Sequence, residues 1–194
     1  MNSSDSPGTL LVTGAGSGIG AATALLAAER GYSLILCDLD EAALDAVAEQ
    51  ARTAGSPVTE AFPLDVRNAG QLRDAFDRGI AAAGLPVGAV CCAGIDRGGP
   101  SHEMSEEDFD RIIDINLKGT FLTCRELIGR LLEAGQDGSI VCISSIAATV
   151  GLPQATAYCL RRVRSLHWSA VSASSTPIAA SASMRLPPVP PRPR

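Results

Sequence analysis

Aromatic side chains make up only 4% of the 194 residues, and there is a single lysine, Lys118. With so few rings, a core must be filled by Ala, Leu and Val, and 46% hydrophobic content of that kind suits a layered α/β domain. No apolar run reaches the roughly 18 residues that a bilayer span needs. The opening stretch Met1 to Pro7 lacks the charged-then-apolar pattern of a secretory signal. The net charge is −5 and no basic cluster occurs before residue 160, which argues against nucleic acid or an anionic membrane surface as partner. The expectation is a cytoplasmic protein. Cysteines stand at 37, 91, 92, 124, 142 and 159 with no repeated spacing and no nearby histidine pair, so they read as reduced core residues. Cys91 and Cys92 make a poor redox or metal pair, because adjacent side chains on a strand point to opposite faces.

What is present begins with a glycine turn. Thr13-Gly14-Ala15-Gly16-Ser17-Gly18-Ile19-Gly20 follows the apolar run Thr9 to Val12 and precedes the Ala/Leu-rich stretch from Ala21 to Arg30. The order is strand, tight turn, helix. Glycines let the backbone turn sharply and approach a ligand, and the free N–H groups at a helix start favour an anionic pyrophosphate. A tight turn that packs a helix on a sheet also wants glycine, so the octet alone leaves both readings open.

Behind it, short apolar runs alternate with longer helical patterns. Strands are expected at 9–13, 33–37, 58–62, 87–91 and 138–143, and helices at 18–30, 41–54, 69–83 and 105–133. Alternation of this kind predicts a doubly wound, Rossmann-like parallel sheet covered on both faces. Gly31 and Gly55 stop the helices before them, and Ser105 with Asp108 three residues on makes a capping-box-like start. Asp38 ends the second strand, where a carboxylate can accept hydrogen bonds from an adenosine ribose and repel a 2′-phosphate, which points to NAD. The same aspartate could cap helix 41–54 or sit in a solvated loop end. Asp65-Val66, past the third strand, is placed to meet an adenine edge, although aspartate there is also common turn chemistry.

These residues together resemble the short-chain dehydrogenase/reductase family. Thr13, Gly14, Gly18 and Gly20 match its Thr-Gly-x-x-x-Gly-x-Gly spacing, and the likeness continues through Asp38, Asp65-Val66, Ala93-Gly94, Asn116, the run Gly138 to Ser145, and Tyr158. The resemblance implies hydride transfer between NAD(H) and a secondary alcohol or ketone. Gly14, Ser17, Gly18, Ile19, Gly20, Asp38, Asp65, Val66, Ala93, Gly94 and Tyr158 would hold the cofactor. Tyr158 would also serve as acid/base, Ser145 would hydrogen-bond the substrate oxygen, and Asn116 would hold a water in a proton relay. A tyrosine titrates near 10 when unperturbed, so a neighbouring cation is needed to bring it towards the working pH. Members of the family assemble as homo-oligomers, through surfaces that this chain would lose with the later elements.

Two departures stand out. Cys91-Cys92 occupies the place of the family's asparagine-rich sequence before Ala93-Gly94, removing amide hydrogen bonds on the adenosine side. Arg162 stands where the family's Tyr-x-x-x-Lys has lysine; it keeps the charge but does not readily give up a proton, and its planar fork meets ribose hydroxyls differently. Catalysis is therefore expected to be impaired, and a dinucleotide-binding remnant without turnover is the alternative. Residues 1–8 are expected to be a flexible start, 9–160 an incomplete dinucleotide-binding domain truncated after about five strands, and 161–194 an Arg/Ser/Pro-rich disordered tail. A third reading makes Pro187 to Arg192 a polyproline ligand for an interaction domain.

The tail admits a coding explanation, beside the alternative of a natural truncated homologue with a tail of its own. Asp137 is the last acidic residue, and six arginines follow it. Back-translated with permitted codons, one added nucleotide after the Cys159 codon turns Leu160 to Trp168 into x-Q-K-G-A-V-A-A-L-V, restoring lysine four residues after Tyr158. The same shift lets Met184 to Pro190 read V-N-A-V-A-P-G, a phrase typical of the family's sixth strand. The expected finding is a one-nucleotide deletion shortly after codon 158. Reading the gene across codons 158–166 checks it: codons that cannot yield lysine in the neighbouring frame overturn the deletion.

Overall fold

The computed structural model describes residues 7–145 and the backbone of 183–185. The order of elements is β1 (Thr9–Thr13), α1 (Gly18–Glu29), β2 (Ser33–Asp38), α2 (Glu41–Ala54), β3 (Thr59–Pro63), α3 (Ala69–Ala83) and β4 (Pro86–Cys91). A short 3₁₀ turn (Ser101–Glu103), α4 (Glu106–Ile113), a π-helical segment (Asp114–Gly119), α5 (Thr120–Ala134), β5 (Ser139–Cys142) and β6 (Ser183–Arg185) follow. The sheet runs β3-β2-β1-β4-β5-β6, with the first five strands parallel.

The strands are buried on both faces, and their alternating side chains feed two cores. On β2, Leu34 and Leu36 turn towards Ala24, Ala28, Leu44 and Ala48 of α1 and α2. Ile35 and Cys37 turn the other way, into the layer formed with Leu72 and Phe76 of α3 and Leu127 and Leu131 of α5. Small residues on α1 let it lie close to the strands. Several helix ends carry the chemistry expected of them: Asp40 caps α2 by accepting from Ala43 N, Gly55 closes it with φ 116°, and Ser105 Oγ accepts from Asp108 N at 3.1 Å.

The register fixes where a ligand can sit. Thr13 lies opposite Cys37 on one side and Cys91 on the other, and Cys91 lies opposite Cys142. Four strands therefore end level, and the chain crosses from β3 back over the sheet to β4 beside β1. This is the switch point at which the loops leaving β1 and β4 diverge and open a crevice.

Two features depart from the sequence expectation. The single helix expected over 105–133 is divided, because residues 114–119 widen into a π-helical turn before α5 resumes. One wide turn lengthens a single apolar interval by about one residue, too short a stretch for the pattern to mark the break. The expected disordered tail contributes Ser183–Arg185, which pairs antiparallel with Ser139–Val141. The physical reason lies in β5: an outer parallel strand presents unpaired N–H and C=O groups that any extended segment can satisfy. The rest of the tail and residues 1–6 lie outside the described residues. Among the described residues, no helix is long and apolar enough to cross a membrane.

Helix α3 packs hard on β2. A Cβ at Gly79 would stand 2.7 Å from Ile35 Cδ1 and within 3.0 Å of two further Ile35 carbons, in a side chain that is itself fully buried. Gly79→Val is expected to lower the unfolding free energy by about 1–3 kcal/mol through overpacking. Urea denaturation measures it, and an unchanged midpoint would mean that the helix can lift off without loss.

Candidate active site

The carboxyl ends of β1, β2, β4 and β5 border a cleft of about 510 Å³. Its floor is the glycine turn. Gly14 adopts φ 66°, and a Cβ there would lie 2.6 Å from Ala93 N, so the turn leaving β1 touches the loop leaving β4. Thr13 binds the two together: its carbonyl accepts from Cys92 N at 3.1 Å and its hydroxyl accepts from Ala93 N at 3.4 Å. A Cβ on Gly20 would stand 1.9 Å from the Gly14 carbonyl oxygen, so the first turn of α1 is seated directly on the end of β1.

Gly18 is different. It has φ 53°, yet a Cβ built there meets nothing within 4 Å. The glycine thus faces open space, a concavity that a ligand can enter. Ser17 is the N-cap of α1 and makes no side-chain capping bond, and no acidic residue stands in the helix's first turn. The positive end of α1 is left for an outside anion. The residues present fit a pyrophosphate group.

Asp38 closes the other wall. Its Oδ2 accepts from Gly16 N at 2.8 Å and its Oδ1 from Asp40 N at 3.0 Å. The capping alternative goes to Asp40, whose side chain caps α2. Asp38 instead ties the glycine turn to the end of β2, half-buried, with its carboxylate at the cleft. Exposed Leu39 and Ile19 flank it, 69% and 58% accessible, and both line the cleft. An apolar ring edge would find cover there.

Asp65 and Val66 are also brought to the cleft. Both Asp65 oxygens are taken by the Arg67 side chain, at 2.9 Å and 3.0 Å from Nε and 2.5 Å from Nη2. These hydrogen bonds hold the Asp65 carboxyl below the usual carboxylate range, and the Arg111 charge adds to the effect. Val66 is buried against Gly119, where a Cβ would come within 2.5 Å of Val66 Cγ2. That contact locks the loop after β3 to the π-helical turn.

Asn116 sits in that turn, 6% exposed. Its Oδ1 accepts from Ile95 N and its Nδ2 donates to Ile95 O, each at 2.7 Å. The amide therefore acts as a two-pronged clamp on the loop after Gly94. The Asn116 carbonyl accepts from Thr120 Oγ1 at 2.8 Å. Segments of π-helix recur at functional sites because the extra residue turns a side chain where a regular helix would not. Ser144 lines the cleft and half-buried Ser145 follows it. Tyr158 and Arg162 lie outside the described residues.

The sequence reading did not single out Leu39, Arg67 or Arg111, all of which line the cleft. Arg67 left a signal: a cation two residues after a strand-end aspartate can fold back on it. Cys92, at the cleft, has its thiol pushed up to about 11 by burial, so it faces the cleft as a neutral group.

The family model described as "short chain dehydrogenase" matches residues 8–160. The chain belongs to the short-chain dehydrogenase family. Among its relatives, the (3R)-3-hydroxyacyl-CoA dehydrogenase of Mus musculus is 42% identical over 151 residues, covering 73% of this chain and 57% of that protein. The D-threitol dehydrogenase of Mycolicibacterium smegmatis is 42% identical over 149 residues, covering 77% and 56%. A Mycobacterium tuberculosis protein named "Probable oxidoreductase EphD" is 38% identical over 159 residues, covering 81% of this chain and 26% of that protein. The chain thus spans between a quarter and somewhat over half of these relatives. Among solved structures, a short-chain type dehydrogenase/reductase from Mycobacterium marinum superposes with TM-score 0.83 at 29% identity, covering 88% of this chain and 69% of that one. A xylitol dehydrogenase with NAD+ bound superposes with TM-score 0.83 at 26% identity, covering 88% and 65%. In keeping with that membership, the described residues carry a layered α/β fold with five parallel strands.

The Asp65–Arg67 pair has a definite pH signature. Its carboxylate is depressed in the folded state, so its contribution to stability is present above the unfolded value, about 3.9, and is lost as pH falls through the lower folded value. Arg67→Ala is expected to raise the Asp65 titration midpoint towards the ordinary range, followed by carboxyl NMR. A midpoint that does not move would mean that the pair does not form in solution.

Proposed function

We propose that this chain binds a nicotinamide dinucleotide at the cleft, NAD(H) in preference to NADP(H), and that its site serves hydride exchange with a secondary alcohol or ketone. The observation that carries the reading is the joint geometry of the glycine turn and Asp38. An open concavity at Gly18 lies beside the uncapped start of α1, and a carboxylate is held across it by Gly16 N. Asp38 would accept from ribose hydroxyls with its remaining lone pairs, and its charge repels a 2′-phosphate. Arg67 is already committed to Asp65, which leaves that cation poorly placed to offset the repulsion. Two structural relatives with NAD bound, the xylitol dehydrogenase and a 3-oxoacyl-[acyl-carrier protein] reductase from Brucella melitensis 28% identical to this chain, support the cofactor class.

When bound, the nicotinamide supplies the hydride donor or acceptor. This chain's residues would do the rest. Asn116 fixes the loop after Gly94 that forms one wall. Ser145 hydrogen-bonds the substrate oxygen, and Tyr158 moves the proton at that oxygen. Arg162 holds a positive charge four residues beyond Tyr158, which favours the phenolate, but it does not readily hand a proton onward. Asn116 would also place a relay water, through whatever capacity its two bonds to Ile95 leave.

The Arg162 departure favours a second reading, binding without turnover. One experiment separates the two. NADH and NADPH binding to the chain is followed by fluorescence, alongside turnover of a panel of secondary alcohols, and both are repeated on a chain made with one nucleotide inserted after the Cys159 codon. NADH is expected to bind more tightly than NADPH, and Asp38→Ala to narrow the difference. Turnover is expected to be lower than in the restored chain by about a hundredfold or more, the usual worth of a positioned acid/base. Absence of binding by either nucleotide would sink the dehydrogenase reading. Equal turnover by both chains would remove the impairment.

A further inference from the structure

Outside the cleft, three thiols converge from three elements. Cys124 on α5 stands with its Sγ 4.0 Å from Cys91 Sγ on β4 and 4.0 Å from Cys142 Sγ on β5. All three sulfurs lie within 4.8 Å of one another, and among the described residues no histidine or carboxylate joins the group. Cys91 and Cys124 are 4% and 0% exposed, while Cys142 is half-buried and offers a way in.

We propose that Cys91, Cys124 and Cys142 form a three-sulfur site for a trivalent thiophilic metalloid, of which arsenite, As(OH)₃, is the simplest probe. Three sulfurs bonded pyramidally to one arsenic at about 2.3 Å stand roughly 3.3–3.5 Å apart, so the two pairs at 4.0 Å need to close by only about half an ångström. A disulfide would use two sulfurs and strand the third. A central ion uses all three.

The surroundings choose among thiophilic ions. The three side chains belong to an apolar layer with Leu122, Leu127 and Ile140. Three thiolates around zinc leave a net charge of −1, and around copper(I) a net charge of −2. A buried, unpaired charge is costly. Three thiolates around arsenic(III) are neutral, and no fourth ligand is required. The exchange balances without any oxidant: As(OH)₃ and three thiols give As(SR)₃ and three waters. Each As–O bond breaks as an As–S bond forms, each thiol proton leaves with a hydroxide, and arsenic stays trivalent.

Occupancy would join β4, β5 and α5 through one atom. Cys91 immediately precedes Cys92 and Ala93 of the cleft, and Cys142 precedes Ile143 and Ser144. A filled site therefore stiffens the strand ends that border the cleft.

The test is an arsenite titration of the full chain, read by bound arsenic, thermal unfolding and arsenic X-ray absorption. The expected result is one arsenic per chain with three sulfur neighbours and a raised unfolding temperature. Cys91→Ala, Cys124→Ala and Cys142→Ala are each expected to weaken binding by about tenfold or more, the loss of one ligand in three. Cys37→Ala, Cys92→Ala and Cys159→Ala are expected to leave it unchanged. If a core variant does not fold, the absorption spectrum of the Cys92→Ala, Cys159→Ala double variant decides. Three sulfurs retained there support the site. Two or no sulfurs around arsenic, dependence on Cys92 or Cys159, or tighter binding of zinc than of arsenite would overturn it.

Discussion

The bond from Gly16 N to the Asp38 carboxylate is the constraint on which the rest of the cleft depends. It joins the turn after β1 to the end of β2, just beyond the last pair of the β1–β2 ladder, Thr13 with Cys37. The backbone bond from Ala15 N to Cys37 O, at 3.1 Å, runs alongside it. Both require the chain to pass closely over the strand ends, which in turn requires Gly14 and Gly20 to carry no Cβ, since one would meet Ala93 and the other the Gly14 carbonyl. One carboxylate thus serves shape and charge together. It holds the turn in place and gives the cleft its negative wall.

A second clamp faces the first. Asn116 pairs with both backbone groups of Ile95, and the π-helical turn that carries it is braced by Val66 packed on Gly119. The loops after β3 and β4 are therefore held by π-helical residues from the far wall, while the loops after β1 and β2 hold each other. Leaving either Ile95 group unpaired in this half-buried position would cost about 1–3 kcal/mol. That magnitude explains why an asparagine, a poor residue for a helix interior, is kept in one. Its amide is worth more to the loop than its propensity costs the helix.

These two clamps mark what could be read from the sequence and what could not. The alternation of strands and helices was legible because burial on both faces of the sheet imposes apolar runs, and helix ends such as Gly55 and Ser105 carry their own chemistry. Gly14, Gly18, Gly20 and Asp38 were legible from spacing, since each answers a local demand of a strand-turn-helix unit. The π-helical break was not, because one wide turn changes a single apolar interval and the helical pattern resumes on either side of it. The commitment of Asp65 to Arg67 left only their two-residue spacing as a signal, because it depends on how a loop folds back. The thiol cluster was the least visible. Its members are separated by 33 and 18 positions and meet only because the register sets Cys91 opposite Cys142 under α5. The correct observation that the cysteines have no repeated spacing therefore said nothing about their distances in space.

The division of labour along the chain has a mechanistic consequence. Among the described residues, those that shape the cleft run from Gly14 to Ser144, whereas the proposed proton-handling side chain Tyr158 and its cation Arg162 lie outside the described residues. Contacts that grip a cofactor equally in ground and transition states set affinity without accelerating chemistry. Acceleration comes from groups that act as charge shifts on the substrate oxygen, the part proposed for Ser145, Tyr158 and Arg162. On the proposed function, binding and turnover are thus separable. On the proposed reading the bond between Gly16 and Asp38 supports the first, while arginine in place of lysine at position 162 acts on the second, because a guanidinium keeps its charge but does not readily pass a proton onward.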